Sequence, residues 1–225
     1  MGCYASPKES TSGLVTYLDA ANPKSYSGSG STWSDLSVNG NNGTLFNTPT
    51  YSSTTNGGIF TFNGSTQYAN VAALNDAFVQ GTWTASFWVN FSSATSTYKV
   101  LFSHGTPTTD HGLYLGATTV WYHSYYTDDM TGSAISANTW YNAVFTANNT
   151  SKARAIYVNG VLNASGTATG VYAGSGNNAA LFYPVINAGY AYFPGNVSSC
   201  MFHNRALTAE EISQNFHALR GRFGI

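Results

Sequence analysis

Charge is scarce in this sequence. Only 8% of its 225 residues are Asp, Glu, Lys or Arg, about a third of the usual ~25%. The net charge is −1 and no basic run occurs. Nucleic-acid binding through phosphate neutralisation therefore has no basis. Glutamate is nearly missing, with Glu9, Glu210 and Glu211 its only representatives. No stretch approaches the ~20 apolar residues of a membrane span. The N-terminus, MGCYASPKES, lacks the apolar run of a secretory signal. Met1-Gly2 with Ser6 fits the N-myristoylation pattern, which is short and common by chance. The two cysteines, Cys3 and Cys200, form no metal motif. They read as two free thiols, Cys200 buried in a strand. A bridge between them would need the first and last segments to lie side by side.

Ser, Thr, Asn and Gly take the place of Lys and Glu. The apolar share is ordinary at 43%, and 16 Tyr, 13 Phe and 5 Trp can build a core. Thr, Tyr and Phe favour pleated sheets, so composition alone argues all-β. Five Asn-Gly pairs mark tight turns: at 39–40, 42–43, 56–57, 63–64 and 159–160.

The clearest hairpin runs from Asn138 to Leu162. Trp140 to Ala147 is rich in β-formers, Asn148 to Lys152 is a polar break, and Ala153 to Val158 returns. Ile156 and Val158 share one face and Tyr157 takes the other. Further strands are expected over Gly13 to Ala20, Thr44 to Phe46, Ile59 to Phe62, Gln67 to Val71 and Thr82 to Phe91. Lys99 to Ser103, Gly112 to Leu115, Val120 to Tyr126, Leu181 to Ala188 and Gly195 to Asn204 complete the set. In the first, strict alternation puts Leu14, Thr16 and Leu18 on one face. Trp33 to Leu36 reads as a turn or a single helical turn, and Gly189 to Pro194 as a turn. One helix is expected, Ala209 to Leu219. Thr208 is its N-cap, Glu211 completes a capping box, and Leu207 with Ile212 forms a hydrophobic staple. Ile212, Phe216 and Leu219 form its apolar face, and Gly221 stops it. Residues 1–12 are expected to be an arm or linker, and 13–225 a single domain.

A glycoside hydrolase needs two facing carboxylates. No Glu falls on a predicted strand, and Asp128-Asp129, read as a loop pair, point to opposite sides. Hydrolysis is therefore not expected, and the protein reads as a non-enzyme. No Gly-x-Ser-x-Gly elbow and no phosphate-cradling loop occurs. His104, Asp110, His111 and His123 match no zinc spacing and read as solvated loop residues. Calcium takes loop oxygens, which makes Asp19, Asp35, Asp128 and Asp129 its candidates; Asp in a turn more often caps its own backbone. Sugars need aromatic faces beside amides and carboxylates. The stretch WYHSYYTDD supplies them, so Trp121, Tyr122, Tyr125, Tyr126 and Asp128 are the glycan-binding candidates. Period two puts Trp121, His123 and Tyr125 on one face and Tyr122, Ser124 and Tyr126 on the other. One of these faces is core.

Several motifs carry a family resemblance. The opening Gly13-Leu14-Val15 to Asp19-Ala20, with Asn22-Pro23 and Trp33-Ser34-Asp35-Leu36, is one. Phe62-Asn63-Gly64 to Tyr68, Trp83-Thr84 to Trp88-Val89, and Trp140 to Gly160 follow. The last is Asn204-Arg205-Ala206-Leu207-Thr208-Ala209-Glu210-Glu211-Ile212. Together they resemble the concanavalin A-like, laminin-G-like jelly rolls found in phage structural proteins. The resemblance implies a two-sheet antiparallel jelly-roll sandwich, first and last strands adjacent, with one short C-terminal helix. It also implies a virion-surface location, as a head decoration, fibre or tail-surface component. Members of that family bind glycans, calcium or other proteins, and few are enzymes. The implied partners are host glycans and other virion proteins, with a homo-oligomer expected; a purely structural cement protein is the alternative. Asn63 and Gln67 stand where the family often has acids, which weakens any carried-over metal site.

Overall fold

The computed structural model describes residues 8–92, 97–105, 111–116, 120–125, 128–170, 179–185 and 190–225, with the side chains of 111 and 125 left aside. Two sheets face each other. In order across the first lie β14 (Val161–Thr167), β13 (Ala153–Val158), β12 (Tyr141–Asn148), β7 (Thr82–Phe91), β17 (Pro194–His203), β5 (Ile59–Asn63) and β4 (Thr50–Ser52). β1 (Leu14–Asp19) also pairs with β17, so the first and last strands are neighbours as expected. The second sheet runs β11 (Asp128–Ala134), β10 (Val120–Tyr125), β9 (His111–Leu115), β8 (Tyr98–His104), β15 (Ala180–Leu181), β6 (Tyr68–Asn70), β3 (Gly43–Phe46) and β2 (Thr32–Trp33). β16 (Tyr190–Ala191) runs parallel to β8; the other described pairs are antiparallel.

The predicted hairpin is present, and its Asn-Gly turn leads into β14. Asn159 and Gly160 both take positive φ, 51° and 78°, as a primed turn requires. Inward residues alternate along the strands, so Phe87, Val89, Phe145 and Ile156 meet Phe60, Phe102 and Phe182 in one core. Trp33, Trp83 and Trp121 are fully buried in it.

The outer face of the first sheet is covered by α2 (Ala209–Leu219). Thr208 and Glu211 form the capping box, and Leu207 meets Ile212 beside Val144. Phe216, Leu219 and Phe223 pack on Trp88 and Met201, with Phe223 stacked on Trp88 at 4.1 Å between ring centroids.

Several local expectations are corrected. A register shift between Leu14 and Thr16 breaks strict alternation, so Leu14 joins Tyr17 under α2 and Leu18 enters the core. Trp33 ends a short strand and is not in a helical turn. Asp128-Asp129 opens β11 and is not in a loop. The strand expected over 181–188 is confined to Ala180–Leu181, with residues 186–189 outside the described set. β16 falls in what was read as a turn. A short helix, α1 (Asp76–Val79), is capped by the Asn75 side chain. Gly221 does not stop the chain's helical course, which continues as a 3-10 turn, Arg220–Arg222.

Lys8–Ser12, expected as an arm or linker, is docked. Gln214 donates to the Lys8 carbonyl. The Ser10 N–H donates to Asn215 at 2.6 Å, and Arg205 donates to Ser12 O at 2.9 Å. Cys200 is a buried free thiol; Cys3 lies outside the described residues.

Candidate functional site

With α2 on the first sheet, the outer face of the second sheet is the large surface that remains. Tyrosine dominates it. On β8, β9 and β10, alternation sends Leu113, Leu115 and Trp121 inward and Tyr98, Val100, Tyr114 and Tyr122 outward. Tyr98 lies 5.1 Å from Tyr122 at 88°, and 5.0 Å from Tyr190. Tyr114 completes the group at 4.6 Å from Tyr190. Burial raises the Tyr98 phenol pKa, helped by Tyr122 and the nearby Asp129 carboxylate.

A second aromatic group lies across the same face. Phe46 of β3 stacks on Tyr68 of β6 at 4.4 Å and 3°. Tyr183 approaches Tyr68 at 4.9 Å and Tyr192 at 5.1 Å. Beside them opens a cleft of about 220 Å³ lined by Tyr68, Asn70, Ala179, Ala180, Tyr183 and Val185. Asn70 donates one amide N–H to Ala179 O at 2.7 Å, leaving its amide oxygen as an acceptor. Ser103 fixes one wall: its hydroxyl donates to Tyr183 O at 2.6 Å and accepts the Val185 N–H at 3.2 Å. Phe182 sits at φ 68°, a left-handed conformation a phenylalanine rarely adopts. It buries its own ring in the core while Tyr183 joins the outer aromatic group. Backbone strain held by surrounding structure is typical of functional positions.

The sequence candidates divide. Tyr122 belongs to the face. Trp121 does not: it is fully buried, edge-on to Tyr141 and Phe145. It cannot stack on a ligand, and the face it shares with His123 is the core face. Tyr125 pairs through its backbone with His111 and Asp128; its side chain and the whole of Tyr126 lie outside the described set. Asp128 is committed to the fold. It pairs with Arg154 and accepts the Thr169 N–H. Burial works against its charge, but these hydrogen bonds hold its carboxyl below the usual range.

The calcium candidates are similarly engaged. Asp19 accepts two bonds from Arg222, at 2.9 and 3.0 Å, and one from the Ala21 N–H. Asp35 accepts the N–H groups of Tyr17, Ser37 and Asn41, each at 2.8 Å. Asp129 is exposed on the tyrosine face opposite Ser124. Asn63 and Gln67 tie their own loop: Asn63 accepts from the Ser65 and Thr66 N–H groups, and Gln67 donates to Asn47 and Thr48 carbonyls. Among the described residues, no group of three His, Cys, Asp or Glu is placed to hold a metal. His104 and His123 are not solvated loop residues but fully buried. His104 pairs with Asp76 at 3.1 Å; Asp110 and the His111 side chain are outside the described set.

Two sheets, adjacent first and last strands and a helix on one outer face define a concanavalin A-type jelly roll. Residues 62–213 match the family model described as the concanavalin A-like lectin/glucanases superfamily, and the chain belongs to that family. A search of curated proteins found no match. Among solved structures, the chain is similar to Trypanosoma rangeli sialidase in complex with sialic acid: 19% identity, TM-score 0.67, 93% of this chain and 33% of that one. It thus spans about a third of that enzyme's length. It is also similar to domain 4 of an extracellular arabinanase from Geobacillus stearothermophilus, in complex with arabinotriose. There identity is 20%, TM-score 0.68, and coverage 92% of this chain and 99% of that one. The binding domain of Paraclostridial Mosquitocidal Protein 1 is a further neighbour, at 16% identity and TM-score 0.66, covering 91% of this chain and 52% of that one. These likenesses concern the fold.

Proposed function

We propose that this domain is a non-catalytic carbohydrate-binding module and that sugars stack on the tyrosine face of the second sheet. The cleft beside the touching rings of Tyr68 and Tyr183 carries the reading: it is lined by these two tyrosines, by Ala179 and Ala180, and by the Asn70 amide. Aromatic faces hold the C–H side of a sugar ring, and amides bond its hydroxyl edge. The arabinanase domain, solved with arabinotriose, and its family support this choice of ligand class. A binding role also fits the carboxylates. Glu9 bonds Tyr17, Glu211 caps α2 and Glu210 lies in its first turn, all on the opposite side of the sandwich.

The wider role proposed is adhesion at a virion surface, after the resemblance of the opening and closing motifs to phage structural proteins. Repeated copies would act by avidity, so a weak single site suffices. The alternative is a cement protein that uses the same tyrosines against other virion proteins or a second copy. Tyr98, Tyr114, Tyr122 and Tyr190 suit that alternative, because a tight aromatic group also makes a protein contact. A glycan-array screen, run beside light scattering, separates the two. Binding lost in Tyr183→Ala and kept in Trp121→Phe supports the module. A silent array from a folded, stably oligomeric protein leaves the cement reading.

A further inference from the structure

The charge map of the molecule narrows the ligand class, given the binding role proposed above. All eight Lys and Arg lie within the described residues, and none is placed on the tyrosine face. Arg205, Arg220 and Arg222 belong to the α2 segment, and Lys8 is bonded to it. Arg154 is buried, bonded to the carbonyls of His123 and Asp128. Lys152 donates to Thr169 O at the turn between β12 and β13. Lys24 is exposed on the loop after β1, a strand of the first sheet.

Lys99 is the nearest in sequence to the site, lying between Tyr98 and Val100. It is 8% exposed, and its cross-strand partner is the core residue Leu115. It therefore points to the side opposite its two neighbours, away from the face. Among the described residues, the formal charge on the face is Asp129, on the edge strand β11 next to Tyr98 and far across the sheet from Tyr68 on β6.

We infer that the tyrosine face takes uncharged glycan and rejects anionic sugars such as sialic acid and uronic acids. An anionic ring there would lose its hydration with no cation to replace it. A neutral ring loses nothing comparable, because stacking and the Asn70 amide do not depend on charge. The consequence is a lectin whose binding is insensitive to salt, since no ion pair is screened.

Calorimetry of the full chain with a panel of neutral oligosaccharides and their sialylated or uronate counterparts tests this. Neutral ligands should bind with a Kd unchanged between low and high salt. Their anionic counterparts should bind about tenfold more weakly or worse. Tyr183→Ala should abolish the neutral binding. Anionic ligand held more tightly than its neutral parent, and lost in Tyr183→Ala, would overturn the inference while leaving the carbohydrate-binding role intact. Absence of binding to every glycan would overturn both.

Discussion

Arg154 shows how single residues hold the edge of this sandwich. Its guanidinium reaches the backbone of β10, the first residue of β11 and the Asp128 carboxylate. Truncation removes the Arg154 donors from two carbonyls and from one oxygen of the half-buried Asp128 carboxylate, whose other oxygen keeps the Thr169 N–H. Arg154→Ala should therefore lower stability by about 3 kcal/mol, measured by urea denaturation. Buried histidines give a second prediction. Burial pushes His123 down to about 3 and His104 to about 4, the latter against the pull of Asp76. The unfolded chain protonates both near pH 6.5. Between those limits the unfolded state holds more protons, so stability must fall as pH falls from about 6.5. A slope on the order of 1 kcal/mol per pH unit for each group is expected. Denaturant titrations from pH 7 to 4.5 would reveal it, and His123→Leu should remove part of it. A flat profile would show that these imidazoles are not neutral in the fold.

Glu211 ties three segments together. Its carboxylate accepts from the Thr208 N–H at 2.9 Å, from Arg205 at 2.6 and 2.7 Å, and from the Ser10 hydroxyl at 3.1 Å. The Arg205 bonds hold its pKa down to about 2. Its stabilising contribution is complete above the ordinary glutamate range and is lost as pH falls toward 2. Thr208→Ala should cost about 1 kcal/mol as an ordinary cap. Glu211→Ala should cost more and also free Lys8–Ser12, seen as fast hydrogen exchange at Ser10 with β7 still protected. The helix was legible in the sequence because cap, staple and apolar stripe lie within a dozen consecutive residues. The β12–β13 hairpin was legible for the same reason, through its polar break and its Asn-Gly turn. β11 was not: Asp-Asp-Met-Thr-Gly-Ser-Ala has the composition of a turn, and only pairing with β10 makes it a strand. α1 is too short for any periodicity to show. The tyrosine face was legible only at Tyr122. Its other members come from β3, β6, β8, β9, β16 and the Tyr183 turn, distant in sequence and joined by the sheet order. Alternation separated Trp121 from Tyr122 correctly, but could not tell which side faced the core.

The whole molecule is closed by contacts between its ends. Leu14 pairs with His203, and Asp19 with Ser199. Such non-local pairing must form late relative to the local hairpin, so folding on the millisecond-to-second scale is expected, as in other β-sandwiches. Stopped-flow tryptophan fluorescence would time it. Phe223→Ala should expose the Trp88 ring and cost about 3 kcal/mol, with the core Trp33, Trp83 and Trp121 undisturbed. The antiparallel pairing of β1 with β17 has a mechanical consequence. The start of β1 and the end of β17 lie side by side, so tension applied between Lys8 and Ile225 first pulls Lys8–Ser12 from α2 and α2 from the sheet, then peels the two strands apart one rung at a time. Tension entering at one end and leaving through a ligand on the tyrosine face takes a different path, through the packed core between the sheets. A grip loaded that way would resist a force at which the same protein, pulled by its two ends, unzips.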